Sequence, residues 1–186
     1  TLFRSNCNCV FCVMPYLKNK TTSSLLTKSD WFALIDTFCT ETFGVKKRRI
    51  KLTGGEPLLV TWLGDILKYI KSLDSDIEVS FTTNGSYIDG NFLKLYASFV
   101  DSISLSIDSF DNKIINQLGR TGMSNEFYLD KINILQDYGI QLRINTIVHA
   151  LNWNERMVDI IEHLGIESWK LIQIFDTFGH NKEIMA

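Results

Sequence analysis

The sequence predicts an α/β protein in which helices cover a parallel sheet, as a partial (β/α)6 barrel of the TIM type. Strand-like apolar segments alternate with helix-like segments along all 186 residues, and this alternation is typical of parallel sheets with right-handed crossovers. Five strands and the end of another at residues 1–3 are too few for a closed barrel of eight. We therefore expect one domain over residues 1–186, truncated at both ends.

The elements follow from local patterns. The predicted strands are residues 48–53, 77–83, 102–107, 142–148 and 168–174, and the predicted helices are residues 29–43, 61–73, 90–99, 125–138 and 153–164. Ser29 and Asn125 are suitable N-caps, because their side-chain oxygens can accept hydrogen bonds from the first turn. Gly139 and Gly165 directly follow two helical segments, where a glycine often ends a helix.

Polar and apolar residues alternate along the predicted strands, most regularly in residues 102–108, Ser-Ile-Ser-Leu-Ser-Ile-Asp. A parallel sheet between helices normally has two apolar faces. The alternation therefore indicates either an antiparallel sheet with one face in water or a barrel with a polar lumen. The crossover helices favour the lumen.

Several cations fall on the polar face of these strands. They are Arg49, Lys51, Arg143 and Lys170, and Arg120 follows Gly119 at the end of a helical segment. Like charges gathered in one cavity repel each other and lose hydration unless an anion joins them. Strand alternation thus predicts a cavity for a ligand with several negative charges, such as a nucleoside triphosphate.

Overall charge and hydropathy exclude other partners. The net charge is −2, from 19 basic and 21 acidic side chains, which argues against a general nucleic-acid or membrane-surface binder. The sequence has no apolar run of about 18 residues, so it predicts no membrane span. A membrane-targeting extension outside this sequence stays compatible with these observations.

Three of the four cysteines, Cys7, Cys9 and Cys12, lie within six residues. A disulfide framework spreads its cysteines along the chain, so these thiols indicate a metal or cluster site in a reducing compartment, which predicts a cytoplasmic location. Zinc would need a fourth ligand, and the three histidines show no paired spacing. A redox C-x-x-C leaves Cys7 unexplained. Cys39, in an apolar helical segment, is predicted to be a core thiol.

The run Cys9-Val10-Phe11-Cys12, followed about forty residues later by Thr53-Gly54-Gly55-Glu56-Pro57, resembles the radical S-adenosylmethionine superfamily. The resemblance implies a [4Fe–4S] cluster with three thiolate ligands and S-adenosylmethionine on the fourth iron. It further implies that Phe11 lies against adenine, that Gly54 and Gly55 approach the methionine, and that Glu56 receives its ammonium group. Thr53, Pro57, Thr83, Asn84 and Ser106 complete the implied cofactor site.

The cysteine spacing departs from the pattern C-x3-C-x2-C of that superfamily, which would place a cysteine at Ser5. Cys7 can supply the third thiolate in a shorter C-x-C-x2-C loop, since two residues span up to roughly 7 Å. Alternatively, Ser5 is a substitution, or a residue is absent from the sequence. We favour Cys7 as the third ligand.

Further runs resemble one branch, viperin and its prokaryotic relatives. These runs are Thr82-Thr83-Asn84-Gly85-Ser86, Ser106-Ile107-Asp108-Ser109-Phe110-Asp111, Gly119-Arg120, Arg143-Ile144-Asn145-Thr146 and Trp169-Lys170-Leu171-Ile172-Gln173. The resemblance implies a nucleoside triphosphate substrate, typically CTP, and an antiviral role. Its phosphate contacts fall on Arg49, Arg120, Arg143 and Lys170. Lys51 stands where the branch tends to have asparagine, and this change bears on base or ribose recognition.

The implied reaction begins with a 5′-deoxyadenosyl radical that removes hydrogen from the ribose C4′ and ends with a 3′-deoxy-3′,4′-didehydro nucleotide. Asn145 would orient the ribose hydroxyls and Ser106 the adenosine, while a flavodoxin-like protein or an equivalent would donate electrons. Two other functions stay open. One is a different radical S-adenosylmethionine enzyme, as in deazapurine or molybdopterin biosynthesis, and the other is a degenerate, non-catalytic nucleotide-binding scaffold.

Overall fold

A single parallel sheet organises the computed structural model, which describes residues 5–12, 26–40, 48–176 and 181–185. Its strands are β1 (Arg49–Leu52), β2 (Glu78–Thr83), β3 (Ser102–Ser106), β4 (Gln141–Val148) and β5 (Ser168–Gln173). They lie in chain order, and each pairs in parallel with the next. This sequential order is that of a β/α barrel. The predicted α/β partial barrel is confirmed, whereas the strand predicted at residues 1–3 lies outside the described residues.

One helix precedes β1, and further helices connect the successive strands. They are α1 (Lys28–Thr40), α2 (Leu63–Leu73), α3 (Gly90–Tyr96), α4 (Asn112–Gln117), α5 (Asn125–Asp137) and α6 (Val158–Ile161), with 3-10 turns at Pro57–Leu59, Ala97–Phe99 and Lys182–Ile184. The predicted helix at 153–164 is much shorter in the structure. Asn152 donates from its side chain to the carbonyls of Asp108 at 2.6 Å and Ile147 at 2.9 Å. Because side-chain bonds of this kind compete with helix formation, the residues between Asn152 and α6 stay in turns.

The two predicted N-caps are each off by one or two residues. Thr27 caps α1 instead of Ser29, since its hydroxyl accepts the N–H of Asp30 at 3.3 Å and its own N–H donates to that carboxylate at 2.7 Å. This reciprocal pair is a capping box. The hydroxyl of Ser124, rather than Asn125, caps α5. Gly139, two residues after the end of α5, has a positive φ of 69°, which confirms it as the residue that ends this helix. Gly165 also has a positive φ, 59°, but α6 already ends at Ile161.

The sheet has one apolar and one polar face, as the strand alternation predicts. Apolar side chains of β1 to β4 form a buried core with α2 and α5, among them Leu52, Phe81, Leu105, Ile144, Ile70 and Tyr128. Cys39 packs against this core, as predicted, and burial raises the pKa of its thiol. The opposite face carries polar side chains and forms the wall of the lumen. In the part of the chain described, no helix is both long and apolar enough to cross a membrane.

Candidate active site

The cysteine segment, residues 5–12, lies against the residues that follow α4. Asn8 donates its N–H to the carbonyl of Gly119 at 3.2 Å, and Val10 donates to the carbonyl of Leu118 at 3.2 Å. A turn closes the segment, with the N–H of Cys12 on the carbonyl of Cys9 at 3.0 Å. Backbone hydrogen bonds to Leu118 and Gly119, directly after α4, therefore fix the position of the three thiols.

Gly119 makes this contact possible, and we expect Gly119→Ala to displace the segment. A Cβ at this position would lie 2.2 Å from the carbonyl oxygen of Asn8, and the residue has a φ of +76°. Iron bound after anaerobic reconstitution should fall by about tenfold or more, as it does when the supports of metal ligands are lost. Colorimetric iron analysis measures the loss, with circular dichroism as the check on folding.

Gly122→Ala is the matched control. Gly122 also has a positive φ, +79°, but nothing lies within 4 Å of a Cβ built there. Both substitutions carry a backbone cost of about 1–2 kcal/mol, and only one of them meets the cysteine segment. Equal iron content in the two variants would contradict the account of this contact.

The thiols of Cys7, Cys9 and Cys12 line a cavity of about 160 Å³ at the carboxyl ends of the first three strands. The other lining residues are Ser5, Phe11, Thr53, Gly54, Gly55, Glu56, Thr82, Thr83, Asn84, Ser106 and Arg120. Loops and strand ends far apart in sequence meet here because parallel strands all end at one edge of the sheet. The structure thus gathers the predicted cofactor residues, except Pro57, around one cavity.

Glu56 is the buried carboxylate of this cavity, with 3% of its surface exposed. It accepts hydrogen bonds from the Thr83 hydroxyl at 2.7 Å, the Asn84 N–H at 2.8 Å and the Leu58 N–H at 3.2 Å. Burial raises its pKa, and these hydrogen bonds offset part of that rise. Pro57 fits the first position of the 3-10 turn that follows, because it has no N–H to satisfy there. The arrangement suits a carboxylate that receives a cationic group.

The Cys7 thiol is the better placed of the two candidates for the third cluster ligand. The Asn84 amide donates to its sulfur at 3.3 Å. A hydrogen bond from Cys9 lowers the pKa of Cys7 to about 7, against the opposing effect of burial, while the same bond and burial raise the pKa of Cys9. The Ser5 hydroxyl also lines the cavity, but it accepts the N–H of Cys7 at 3.2 Å.

The donor set fits an iron–sulfur cluster better than a single metal ion. Within residues 5–12, 26–40, 48–176 and 181–185, no three His, Cys, Asp or Glu side chains converge as one ion requires. A cubane cluster does not require its ligands to converge on one point, because each thiolate binds a different iron. Three thiols on one cavity wall beside a buried carboxylate and two glycines satisfy it.

Arg120 and Asp108 form a buried ion pair beside the thiols. The Arg120 Nε and Nη2 atoms lie 2.9 Å and 2.5 Å from Oδ2 of Asp108, with 5% and 1% of the two side chains exposed. Burial opposes the charge on Arg120, but Asp108 outweighs it and raises the pKa of the guanidinium. The guanidinium carbon also lies 5.9 Å from the ring centre of Phe11, within the range of a cation–π contact.

A second cavity, of about 430 Å³, opens into the lumen beside the first. Its lining residues are Phe11, Lys51, Thr53, Thr82, Ser106, Asp108, Arg120, Asn145, Ile147, Lys170 and Ile172. Phe11, Thr53, Thr82, Ser106 and Arg120 line both cavities. The thiol cavity and the cation-lined cavity therefore adjoin each other.

The expected convergence of five cations on one cavity holds for Lys51, Arg120 and Lys170 and fails for the other two. Arg49 and Arg143 are not among the lining residues of the described cavities. The physical reason is Glu78, which holds the Nε of Arg49 at 2.9 Å and Nη2 of Arg143 at 3.4 Å. Strand alternation gives the face on which a side chain lies, and it does not identify a counter-ion from another strand.

Sequence reasoning assigned no role to three residues that shape the site. Asp108 fixes Arg120, Glu78 pairs with the two arginines, and His149 stacks on Phe11 with ring centres 6.1 Å apart. His149 is fully buried, and its Nδ1 accepts the N–H of Leu151 at 3.2 Å. Burial lowers its pKa. Only Asp108 carried a sequence signal, as the acidic end of an otherwise neutral alternating strand.

Comparison with known proteins identifies the family. A family model described as the radical SAM superfamily matches residues 4–164. An S-adenosylmethionine-dependent nucleotide dehydratase of Lacinutrix mariniflava is 36% identical over 72% of this chain and 29% of its own length. Another, of Flammeovirga pacifica, is 30% identical over 95% of this chain and 61% of its own. A GTP 3′,8-cyclase of Limosilactobacillus fermentum is 32% identical over 86% of this chain and 47% of its own.

The solved structures agree on the fold. Streptococcus suis SuiB bound to S-adenosylmethionine superposes with a TM-score of 0.76 at 16% identity, over 98% of this chain and 41% of that one. The chain spans between 29% and 61% of the length of the curated relatives named above. Membership of the family implies a [4Fe–4S] cluster and S-adenosylmethionine as cofactors. The chain belongs to the radical SAM superfamily and is related in sequence to S-adenosylmethionine-dependent nucleotide dehydratases.

Proposed function

We propose that this enzyme converts a nucleoside triphosphate, CTP or a close analogue, to its 3′-deoxy-3′,4′-didehydro form. The observation that carries the proposal is the pair of adjoining cavities, one lined by three thiols and the other by cations, with five residues in common. A radical formed in the first cavity would meet a nucleotide in the second without crossing water. Relatives named as nucleotide dehydratases support the same substrate class.

The first cavity would hold the cofactors. Cys7, Cys9 and Cys12 would bind three irons of the cluster, and Glu56 would receive the ammonium group of S-adenosylmethionine beside Gly54 and Gly55. The bound cofactors supply the 5′-deoxyadenosyl radical. Phe11 would then support the adenine, because Arg120 and His149 hold its ring in place.

The second cavity would hold the nucleotide. Asn145 lies on its wall in register with Lys170 of the neighbouring strand. An amide there can orient the ribose hydroxyls, and Lys170 and Lys51 can bind phosphate oxygens as point charges. The resemblance also implies phosphate contacts from Arg49 and Arg143. These two arginines would have to break their ion pairs with Glu78 before they could bind the ligand. Positioning of C4′ toward the first cavity is the main contribution of these residues to the rate.

The overall change would remove one hydrogen atom from the nucleotide and consume one proton and two electrons, one electron for the cleavage of S-adenosylmethionine and one for the release of the 3′-hydroxyl. The hydrogen atom leaves C4′ for the deoxyadenosyl radical, and the 3′-hydroxyl departs as water with the added proton and electron. A flavodoxin-like protein or an equivalent donor would supply both electrons. The resemblance also implies an antiviral role, which remains a prediction.

An anaerobic assay with deuterated nucleotides tests the proposal. We expect S-adenosylmethionine cleavage to rise at least tenfold with one of CTP, UTP, GTP or ATP, since substrate binding excludes water and aligns the reactants. With that nucleotide deuterated at C4′, mass spectrometry should find one deuterium in 5′-deoxyadenosine. Cleavage that no triphosphate stimulates would favour a different radical SAM reaction. Nucleotide binding with no cleavage in the presence of an intact cluster would favour a scaffold.

A further inference from the structure

Three polar side chains, those of Asn6, Asn84 and Ser86, form a closed ring of hydrogen bonds beside the Cys7 thiol. The Asn6 amide donates to the Ser86 hydroxyl at 2.9 Å, and that hydroxyl donates to Oδ1 of Asn84 at 2.5 Å. The Asn84 amide donates back to Oδ1 of Asn6 at 2.9 Å. The ring thereby joins the cysteine segment to the turn after β2, 78 residues away in sequence.

The ring leaves the Asn84 amide only one orientation. The backbone N–H of Ser86 donates to Oδ1 of Asn84 at 2.9 Å, and a backbone N–H can only donate. The other end of the side chain is therefore the NH2 group, which has two protons to donate. One of them goes to Asn6, and the other goes to the sulfur of Cys7, 3.3 Å away. Asn84 is 6% exposed, so water has little access to this bond.

A bound cluster would strengthen the contact between Asn84 and Cys7. Iron binds the thiolate rather than the thiol, so the Asn84 N–H would donate to a charged sulfur. Hydrogen bonds of this kind are stronger than those between neutral groups. Reduction adds one more negative charge to the cluster and its thiolates, and a donor at the sulfur therefore stabilises the reduced state more than the oxidised one. Hydrogen bonds to the sulfurs are among the features that set the potentials of such clusters.

We propose that Asn84, held by Asn6 and Ser86, is a positioning residue that directs an N–H to the Cys7 thiolate and raises the reduction potential of the cluster. The proposed cleavage of S-adenosylmethionine consumes an electron that passes through the cluster, so the ring would favour the first step of the reaction. This inference rests on the proposed function for the cluster and its Cys7 ligand, and it does not depend on which nucleotide is bound. It adds a residue that acts on the cluster without binding iron.

A redox titration of the anaerobically reconstituted chain, followed by EPR without S-adenosylmethionine or nucleotide, tests this role. In Asn84→Ala the ratio of reduced to oxidised cluster at a given potential should fall about tenfold, which is ~59 mV for a one-electron couple. This variant keeps the backbone N–H of residue 84, which donates to Glu56 at 2.8 Å. Asn91→Ala is the matched control, because it removes an exposed amide on α3. It should leave the midpoint potential unchanged.

Ser86→Ala keeps the proposal testable if Asn84→Ala binds too little iron to titrate. It retains the Asn84 amide and removes one of the two hydrogen bonds to its oxygen, so the ratio should fall by about threefold. A wild-type midpoint potential in Asn84→Ala, or in Ser86→Ala where the first variant cannot be titrated, would overturn the role of Asn84 and leave the proposed function standing. A wild type that binds no cluster would instead refute the proposed function.

Discussion

Replacement of Arg120 with alanine is expected to lower the free energy of unfolding by about 3–5 kcal/mol. The substitution leaves Asp108 with 1% of its side chain exposed and without its cationic partner. Removal of one member of a buried ion pair is costly because the remaining charge stays out of water. Asp108 cannot easily turn away, because its Oδ1 accepts the N–H of Ile147 at 2.8 Å.

Urea unfolding followed by circular dichroism measures this effect. Arg156→Ala is the matched control, because that guanidinium pairs with Asp159 on the surface and is 79% exposed. It should leave the unfolding midpoint unchanged, as isolated surface pairs contribute little. The double variant Arg120→Met with Asp108→Leu should recover most of the lost stability, because neither charge of the pair remains in the interior. An Arg120→Ala midpoint equal to that of Arg156→Ala would show that the pair does not stabilise the fold.

The same substitution should also disable the site. Arg120 lines both cavities and contacts the ring of Phe11. The double variant separates the two effects, since it restores stability without restoring the guanidinium. We expect it to fold and to remain defective in S-adenosylmethionine cleavage.

Strand alternation allowed the lumen to be predicted from the sequence because it is a local property. Side chains of a strand alternate between faces, so Lys51, Asn145 and Lys170 could be assigned to the polar face with no knowledge of their neighbours. The cofactor site was predicted by resemblance, from the cysteine spacing and from the two glycines and the glutamate of residues 53–57. Their meeting at one edge follows from the parallel order of the strands.

Counter-ions could not be predicted in this way. Glu78 reaches Arg143 across 65 residues of sequence, and whether an arginine faces a carboxylate or a cavity depends on the register between strands. The predicted helix at 153–164 was too long for a similar reason, since only Val158–Ile161 is helical. Side-chain bonds from Asn152 to Asp108 and Ile147 hold its first part in turns, and one of those partners lies 44 residues away.

We propose that Cys7, Cys9 and Cys12 hold a [4Fe–4S] cluster that supports cleavage of S-adenosylmethionine. Cys7 is the decisive residue, because the superfamily pattern would place the third thiolate at Ser5. In the structure Asn84 donates to the sulfur of Cys7, while the hydroxyl of Ser5 is engaged by a backbone N–H. Serine oxygen is also a poor substitute for thiolate on iron.

Iron content and 5′-deoxyadenosine formation after anaerobic reconstitution test this claim most directly in the wild type, Cys7→Ala and Ser5→Ala. We expect about four irons per chain in the wild type and in Ser5→Ala. Cys7→Ala should lose most of its iron and form at least about 1,000-fold less 5′-deoxyadenosine, because the cluster carries the chemistry. A wild type without a cluster, or a Cys7→Ala variant that keeps full iron content and activity, would contradict the account.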